Sequence, residues 1–570
     1  HYGNFKEPYV PSNLLTVLTL DSNQRQTFQL GSPPLGVAFG IDNRAFIVTR
    51  DEFLLLDPET GATQVLETVA GATPTELPVP GATFPTDIIR ASVAASADGM
   101  WVVGIAELAA PVAAPISCGT VGGLLVCISD PSAAAPTQAN ALVVTYNVNT
   151  RQVSLQPITA SLPLGPRAMS VARDGSTFAT GWGLFSRGGI LLARFRDAAG
   201  VLATGSVALD SQRGLVYAQV TRPPVLEVAD ADNLTLRERL RLPENLAGKA
   251  VLSSNGEVMY AVSSSGLAIL PVGTLARVPR VAASQEDVVF RGSFCDRRVM
   301  IQEIEIVDPG GGRTDFSLKP SLPGVAVSPA SGVTPARVRV AIDPNAFQNQ
   351  LGTSSGMIEI ESQFAVNIPP PVRVRINNRE PDQRGSFFNA PGTLVDILAD
   401  PGRNRFYVLR QDKNQVLVYD GATYRLLRTL RTGNTPTQLA MTFDRQLLLV
   451  GADDSQMVHV YNLDTLEMDR PIVMPSGHYP RSIAASGRAI LVASRVDPPK
   501  HVISSADMYT RTALPLRTLG VYENNINIDT SLAATPSGAG IFVVQADGNV
   551  MLYDANADTF AVSRKDFTKL

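Results

Sequence analysis

Along most of the chain, short apolar runs alternate residue by residue with polar ones and are cut by clusters of Gly, Pro, Asp, Asn and Ser. A period of two marks strands, and the breaks mark tight turns. The clearest stretch is 394–432, LVDILADPGRNRFYVLRQDKNQVLVYDGATYRLLRTLRT. It divides into LVDILAD, RFYVLR, QVLVYD and RLLRTL, with DPGRN and GAT as turns. The same order returns at 438–473, from 482 in IAASGRAILVASRV, and at 532–562. In the N-terminal half the copies are 36–69, 92–158 with a long insertion, 168–196, 207–242 and 250–281. Four strands every roughly 35–45 residues predict a β-propeller, because one small sheet with two apolar faces must stack against neighbours. The expected fold is all-β, with seven to nine four-stranded blades. Residues 14–30, LLTVLTLDSNQRQTFQL, add two strands that would clasp the last blade.

Between about 289 and 379 the blade pattern stops, and short alternating strands take over: MIQEIEIV, TDFSL, VAVSP, RVRVAID, GMIEIES and PVRVRIN, with a weaker first one. In RVRVAID and VRVRIN the arginines fall on one face and Val or Ile on the other, which predicts strands with one buried and one solvated face. About ninety such residues match the size of an immunoglobulin-like sandwich. The expected organisation is an extended arm at 1–13, a first propeller part at 14–288, the sandwich at 289–379 and a second propeller part at 380–570.

Two resemblances rest on particular residues. Phe406, Tyr407, Val408, Asn414, Val416, Val418, Asp420, Thr423, Gly433 and Pro436 match the extracellular propeller family with the YVTN repeat, in which an aromatic second strand precedes Asn, a V-x-V-x-D strand, a Thr turn and a closing Gly with Pro nearby. The next copy departs from it, with Asn462 where Asp is expected and Asp464 two residues later. In the insert, Val327, Ser328, Pro329, Ser331, Gly332, Thr334, Pro335, Gly352, Gly356, Ile358, Ile360 and Ser362 resemble the bacterial BACON and related Ig-like modules. These resemblances imply blades, a spacer or interaction module and an extracytoplasmic setting; they bring no catalytic residues.

Composition narrows the function. The 570 residues hold 48 Lys and Arg against 52 Asp and Glu, a net charge of −4, without a basic run that would serve nucleic acid. No apolar run reaches the length that spans a bilayer. The first residue is His1 rather than Met, which is read as the mark of a removed leader, so the chain is expected outside the cell or at its surface, with the periplasm as the other oxidising setting. There, Cys118 and Cys127 in CGTVGGLLVC would close a small disulfide loop, with two buried thiols as the alternative, and Cys295 is left over. The segment 107–140 around them is long and apolar, and Leu124 and Leu125 are its interaction candidates. In the arm, Tyr2, Phe5 and Tyr9 are candidates for docking on a neighbour by strand addition.

Catalytic signals are sparse. Four histidines are present; His459 alternates with apolar residues as a strand side chain, and His478 in PSGHYPRS is the best polar candidate for a loop at the axial mouth. No nucleophile elbow, HExxH or phosphate loop occurs in a supporting context. A cofactor is not expected; the carboxylate pairs Asp453–Asp454 and Asp230–Asp232 offer the only hint of an ion, calcium. The expected function is a non-catalytic surface scaffold that binds copies of itself, other surface proteins or a glycan, with assembly into a fibre, tube or layer as its specific form. The alternative is a lactonase- or hydrolase-like enzyme working at the axial mouth.

Overall fold

The computed structural model describes residues 13–72, 87–109, 118–121, 124–127, 140–158, 169–181, 183–195, 205–220, 223–293, 298–380, 385, 387–496, 500–507, 513–515, 526–527 and 529–564, with the strands at 118–127 and 500–515 described by backbone alone. Among the described residues, nine antiparallel sheets of blade type follow one another: blade 1 at 36–68, blade 2 at 88–158, blade 3 at 169–194, blade 4 at 206–241, blade 5 at 246–270, blade 6 at 394–431, blade 7 at 436–473, blade 8 at 478–515 and blade 9 at 531–564. Eight have four strands and blade 5 has three. The chain is thus all-β and built of propeller blades, at the upper end of the expected number.

The turns explain why the strands end where they do. After the third strand of blade 6, Asp420 Oδ1 accepts the N–H groups of Ala422 and Thr423 at 3.1 and 2.7 Å, and Tyr424 takes φ 57°. At the matching place in blade 7, Asn462 Oδ1 accepts from Asp464 and Thr465 at 2.9 and 3.0 Å, and Leu466 takes φ 58°. The Asp-to-Asn departure is therefore silent, because the turn uses only a side-chain oxygen acceptor. Blades 1, 2 and 9 repeat the device with Asp57, Asn147 and Asp554. Between the first two strands, a φ of 69° at Gly175 brings the turn under the indole of Trp101 from the preceding blade; a Cβ there would lie 2.8 Å from the Trp101 Cβ. Only Gly fits both the conformation and the contact.

Blade cores are shared between neighbours. Phe46, Val48, Val102 and Val144 join blades 1 and 2. Ala179, Leu184, Val207 and Val216 join blades 3 and 4, and Tyr217, Leu226, Leu246 and Met259 join blades 4 and 5. Likewise Tyr407, Val418, Leu448 and Val450 join blades 6 and 7, with Leu449, Val460 and Val492 continuing to blade 8, and Leu491, Ile541 and Val543 to blade 9. Two stacks result, blades 1–5 and blades 6–9. The hairpin of Leu14–Thr19 and Gln24–Gln29 forms its own sheet and rests Leu15, Val17 and Phe28 on Ile47 and Leu54 of blade 1. It covers the start of the first stack rather than clasping blade 9, which already has four strands of its own.

Between the stacks lies a two-sheet sandwich. One sheet orders Ala282–Ala283, Met300–Val307, Ala336–Ile342 and Val325–Ser328; the other orders Asp287–Ser293, Val372–Arg379, Gly352–Glu361, Asp315–Pro320 and Ser331–Val333. Every second residue enters its core: Val338 and Val340 are fully buried while Arg337 and Arg339 are exposed, and Val372, Val374 and Ile376 are buried between half-buried Arg373 and Arg375. The sandwich begins several residues before 289, since Ala282–Ala283 pairs with Met300–Val307 and Asp287–Ser293 runs parallel to Val372–Arg379.

Candidate functional site

Three places in the molecule have the chemistry to engage something: the seam between the stacks, the bare faces at the stack ends, and a cleft beside the sandwich. The seam is polar. Arg194, at the end of the outermost strand of blade 3, donates to Asp454 Oδ1 from Nε and Nη2 at 2.9 and 2.6 Å. Its backbone N–H reaches Asp454 O at 2.8 Å, and Leu191 exchanges two hydrogen bonds with Gln456. The exposed edge of blade 3 is thereby paired to a turn of blade 7, which removes a template for uncontrolled strand addition. Arg495 of blade 8 donates to Asp453 at 2.8 Å, and its guanidinium lies 4.4 Å above the ring of Tyr479. Burial raises the pKa of Asp453, against the lowering effect of Arg495 and Arg481.

A second set joins blades 4 and 6. Arg431 bridges Asp230 and Asp232, at 2.7 Å and at 2.6 and 2.8 Å. Asn233 Nδ2 donates to Thr432 O at 2.8 Å, and Asn414 Nδ2 to Thr235 Oγ1 at 3.0 Å. Burial disfavours the charge on Arg431, yet the two carboxylates carry its pKa upward. The carboxylate pairs considered for calcium are thus bound to guanidinium groups; among the described residues no three of His, Cys, Asp and Glu gather as metal ligands.

The histidines take part as neutral groups. His459 lies on the strand Met457–Asn462, its Nδ1 accepts the Gly433 N–H at 3.2 Å, and burial pushes its pKa down to about 4. The sequence suggests a mouth loop for His478, but it opens the strand His478–Ala485 of blade 8 and is buried. Its pKa is likewise pushed down to about 4 by burial, and its Nδ1 has no hydrogen-bond partner among the described residues. The turn-like PSG before it hid this.

The last faces of the two stacks, on blades 5 and 9, are apolar and open. On blade 5, Val251, Tyr260, Val262, Leu267 and Ile269 form an exposed face, with Ile269 62% exposed. Blade 9 exposes Phe542 and Val562 on its last face. Alternation puts both sets opposite the side chains that pack on the preceding blade.

The cleft has a volume of about 580 Å³ and lies between the sandwich and the first face of blade 6. Val288, Phe290, Val374 and Ile376 point into the sandwich core, so Val289, Arg291, Arg375 and Asn377 point out of it and form one wall. Phe406, Val408 and Ile397 form the other, and Phe387 and Phe388 line it between them. Phe388 stacks on Tyr424 at 5.7 Å and meets Phe406 edge-on at 5.9 Å. The end of the cleft is tied by Arg373, which pairs with Asp287 at 2.7 Å, and by Arg410, which pairs with Glu286 and with Asp412 at 2.9 Å. Burial opposes the charge on Asp412, but the hydrogen bond from Arg410 leads the effects that lower its pKa overall. The alternation in VRVRIN placed Arg375 and Asn377 on the solvated face, but nothing in the sequence indicated that blade 6 stands opposite.

Of the other expected residues, Tyr2, Phe5 and Tyr9 lie outside the described residues, as does Cys295. The strands Cys118–Val121 and Leu124–Cys127 pair antiparallel with Cys118 opposite Cys127. The side chains of both cysteines, and of Leu124 and Leu125, lie outside the described residues. No helix among the described residues is long and apolar enough to cross a membrane.

No family model matches the chain, and no curated protein does. Among solved structures, it is similar to the β-propeller domain of Myceliophteria thermophila Cps50 (Swd1), with 16% identity and a TM-score of 0.25 over 32% of this chain and 60% of that one. It is also similar to U3-55K, with 10% identity and a TM-score of 0.25 over 31% of this chain and 53% of that one. The chain thus spans less than two thirds of either structure, and the blade architecture rests on its own sheets.

Proposed function

We propose that this chain is an extracellular, non-catalytic scaffold that binds protein surfaces, other copies of itself first among them. The observation that carries the proposal is the open apolar face of blade 5, where five large side chains stand exposed on one side of one sheet. A contiguous exposed apolar area of this kind marks a contact surface. A contact between unlike ends, blade 5 of one copy and blade 9 of the next, is heterologous and generates a fibre or ring. The seam supports a scaffold over a hydrolase, since its carboxylates Asp453 and Asp454 are engaged by Arg495 and Arg194. The YVTN-type repeat, the BACON-like character of the sandwich and a Cys118–Cys127 disulfide belong to the same reading. Residues directly opposite on antiparallel strands stand about 4.5–5.5 Å apart at Cα, within disulfide reach.

Sedimentation velocity and electron microscopy over a wide concentration range test the proposal. Self-association that grows with concentration, and is lost in Ile269→Lys with Leu267→Glu, is the expected result. Uniform monomers at every concentration would count against self-assembly.

A further inference from the structure

We infer that the cleft between the sandwich and blade 6 is a binding site for a small organic acid with a flat apolar body, an aromatic carboxylate. The inference goes beyond the scaffold reading and is independent of it. Besides Arg379, whose guanidinium lies 5.5 Å from the centre of the Phe387 ring, four arginines stand at this junction among the described residues, and they divide into two kinds. Arg373 and Arg410 are paired with Asp287, Asp412 and Glu286. Among the described residues Arg291 and Arg375, which line the cleft, have only neutral hydrogen-bond partners: Arg291 donates to Asn389 Oδ1 at 2.6 Å, and Arg375 donates to Gly392 O at 3.1 Å. A guanidinium carries five N–H donors, so both keep donors in hand, and a planar carboxylate is the group that fits them.

Register brings the two together. Asp287–Ser293 runs parallel to Val372–Arg379 with Val289 opposite Arg375 and Arg291 opposite Asn377, so both guanidinium groups rise from adjacent strands on one face. The remaining walls are apolar or aromatic. Phe387 is 56% exposed and lies 5.0 Å under the Arg291 guanidinium; Ile397 and Val395 of blade 6 are exposed opposite it. One carboxylate, Asp396, also lines the cleft, but its oxygens accept the N–H groups of Ile397 and Leu439 at 2.8 and 2.7 Å. A net positive wall facing an apolar one selects an anion with a hydrophobic body. The volume falls within the range of small-molecule sites, roughly 300–1,000 Å³.

The test uses the full chain, with 2-naphthoate as the acid and 2-naphthalenemethanol as its uncharged twin, both titrated calorimetrically. Saturable binding of the acid, at least about tenfold tighter than the alcohol, is expected, and Arg291→Gln with Arg375→Gln should weaken it by about tenfold or more. Arg337→Gln, an exposed arginine paired with Glu305 on the other sheet, should leave it unchanged. Should the double variant fail to fold, as judged by its melting transition, Phe387→Ala replaces it, since an exposed ring is dispensable for the core. Equal affinity for the alcohol, undiminished binding in the folded variant, or no saturable binding of the acid at millimolar concentration would each overturn the inference.

Discussion

The seams within a stack are apolar, whereas the seam between stacks is mostly polar, with Tyr479 of blade 8 packed into the core of blades 2 and 3. Blades 6 and 7 meet through Tyr407, Val418, Leu448 and Val450, all fully buried hydrocarbon or ring. The two stacks meet through Arg194, Asp454, Gln456, Asn233, Asn414 and Arg431. An apolar seam tolerates small shifts of register, because its attraction is non-directional. A seam of guanidinium, carboxylate and amide groups fixes one arrangement, because each donor left unmatched in a dry place is costly. Stacking strength and stacking geometry are therefore assigned to different residues.

The sharpest way to break this contrast is to remove one partner of the polar seam. Asp454→Ala, which leaves Arg194 and Arg495 without their shared carboxylate, should cost about 3–5 kcal/mol in chemical denaturation. Replacing Arg194 and Asp454 together with Met and Leu should recover much of that loss, because the desolvation of both charges is relieved. Leu448→Ala in the apolar seam should cost about 2–5 kcal/mol, and no single second substitution should restore it.

Acid gives a smaller effect with a defined window. His459 and His478 have folded pKa values lowered to about 4, so the unfolded chain binds more protons than the folded one between there and about 6.5. Their contribution is complete above about pH 6.5 and falls as the pH drops toward 4, by on the order of 3 kcal/mol per imidazole at most. Denaturation midpoints at a series of pH values should show this slope, and His459→Gln with His478→Gln should flatten it.

The smallest effect compares the two stacks at one matched position. Asp210 and Arg213 precede Tyr217 in blade 4 as Asp400 and Arg403 precede Tyr407 in blade 6. The Tyr407 hydroxyl donates to Asp400 at 3.3 Å, whereas the buried Tyr217 hydroxyl has no partner among the described residues. Tyr407→Phe should cost about 1 kcal/mol and Tyr217→Phe nothing or less, as read from paired melting curves.

Legibility in the sequence followed the range of the interaction. The strands and turns of blade 6 were readable because Asp420 and Thr423 act within three residues of each other, and the sandwich was readable because Val338 and Arg339 alternate locally. The seam was hidden, since Arg194 and Asp454 are 260 residues apart, and in its own neighbourhood Asp454 reads as half of a carboxylate pair suited to an ion rather than to an arginine. The turn-like PSG put His478 on a loop. The cleft was half visible: Arg375 follows from the VRVRIN alternation, while Phe406 belongs to blade 6 and Phe387 and Phe388 to the segment that leads into it.

One hydrogen bond, from Gly392 N to Asp287 Oδ2 at 3.0 Å, spans 105 residues of chain. The polypeptide leaves for the second sheet of the sandwich and comes back to begin blade 6 beside its point of departure. For protein engineering this makes the sandwich an insertion with adjoining ends, and a replacement module has to supply one thing more, the backbone partners that Val366 and Ile368 give to Arg241 and Arg239 of blade 4.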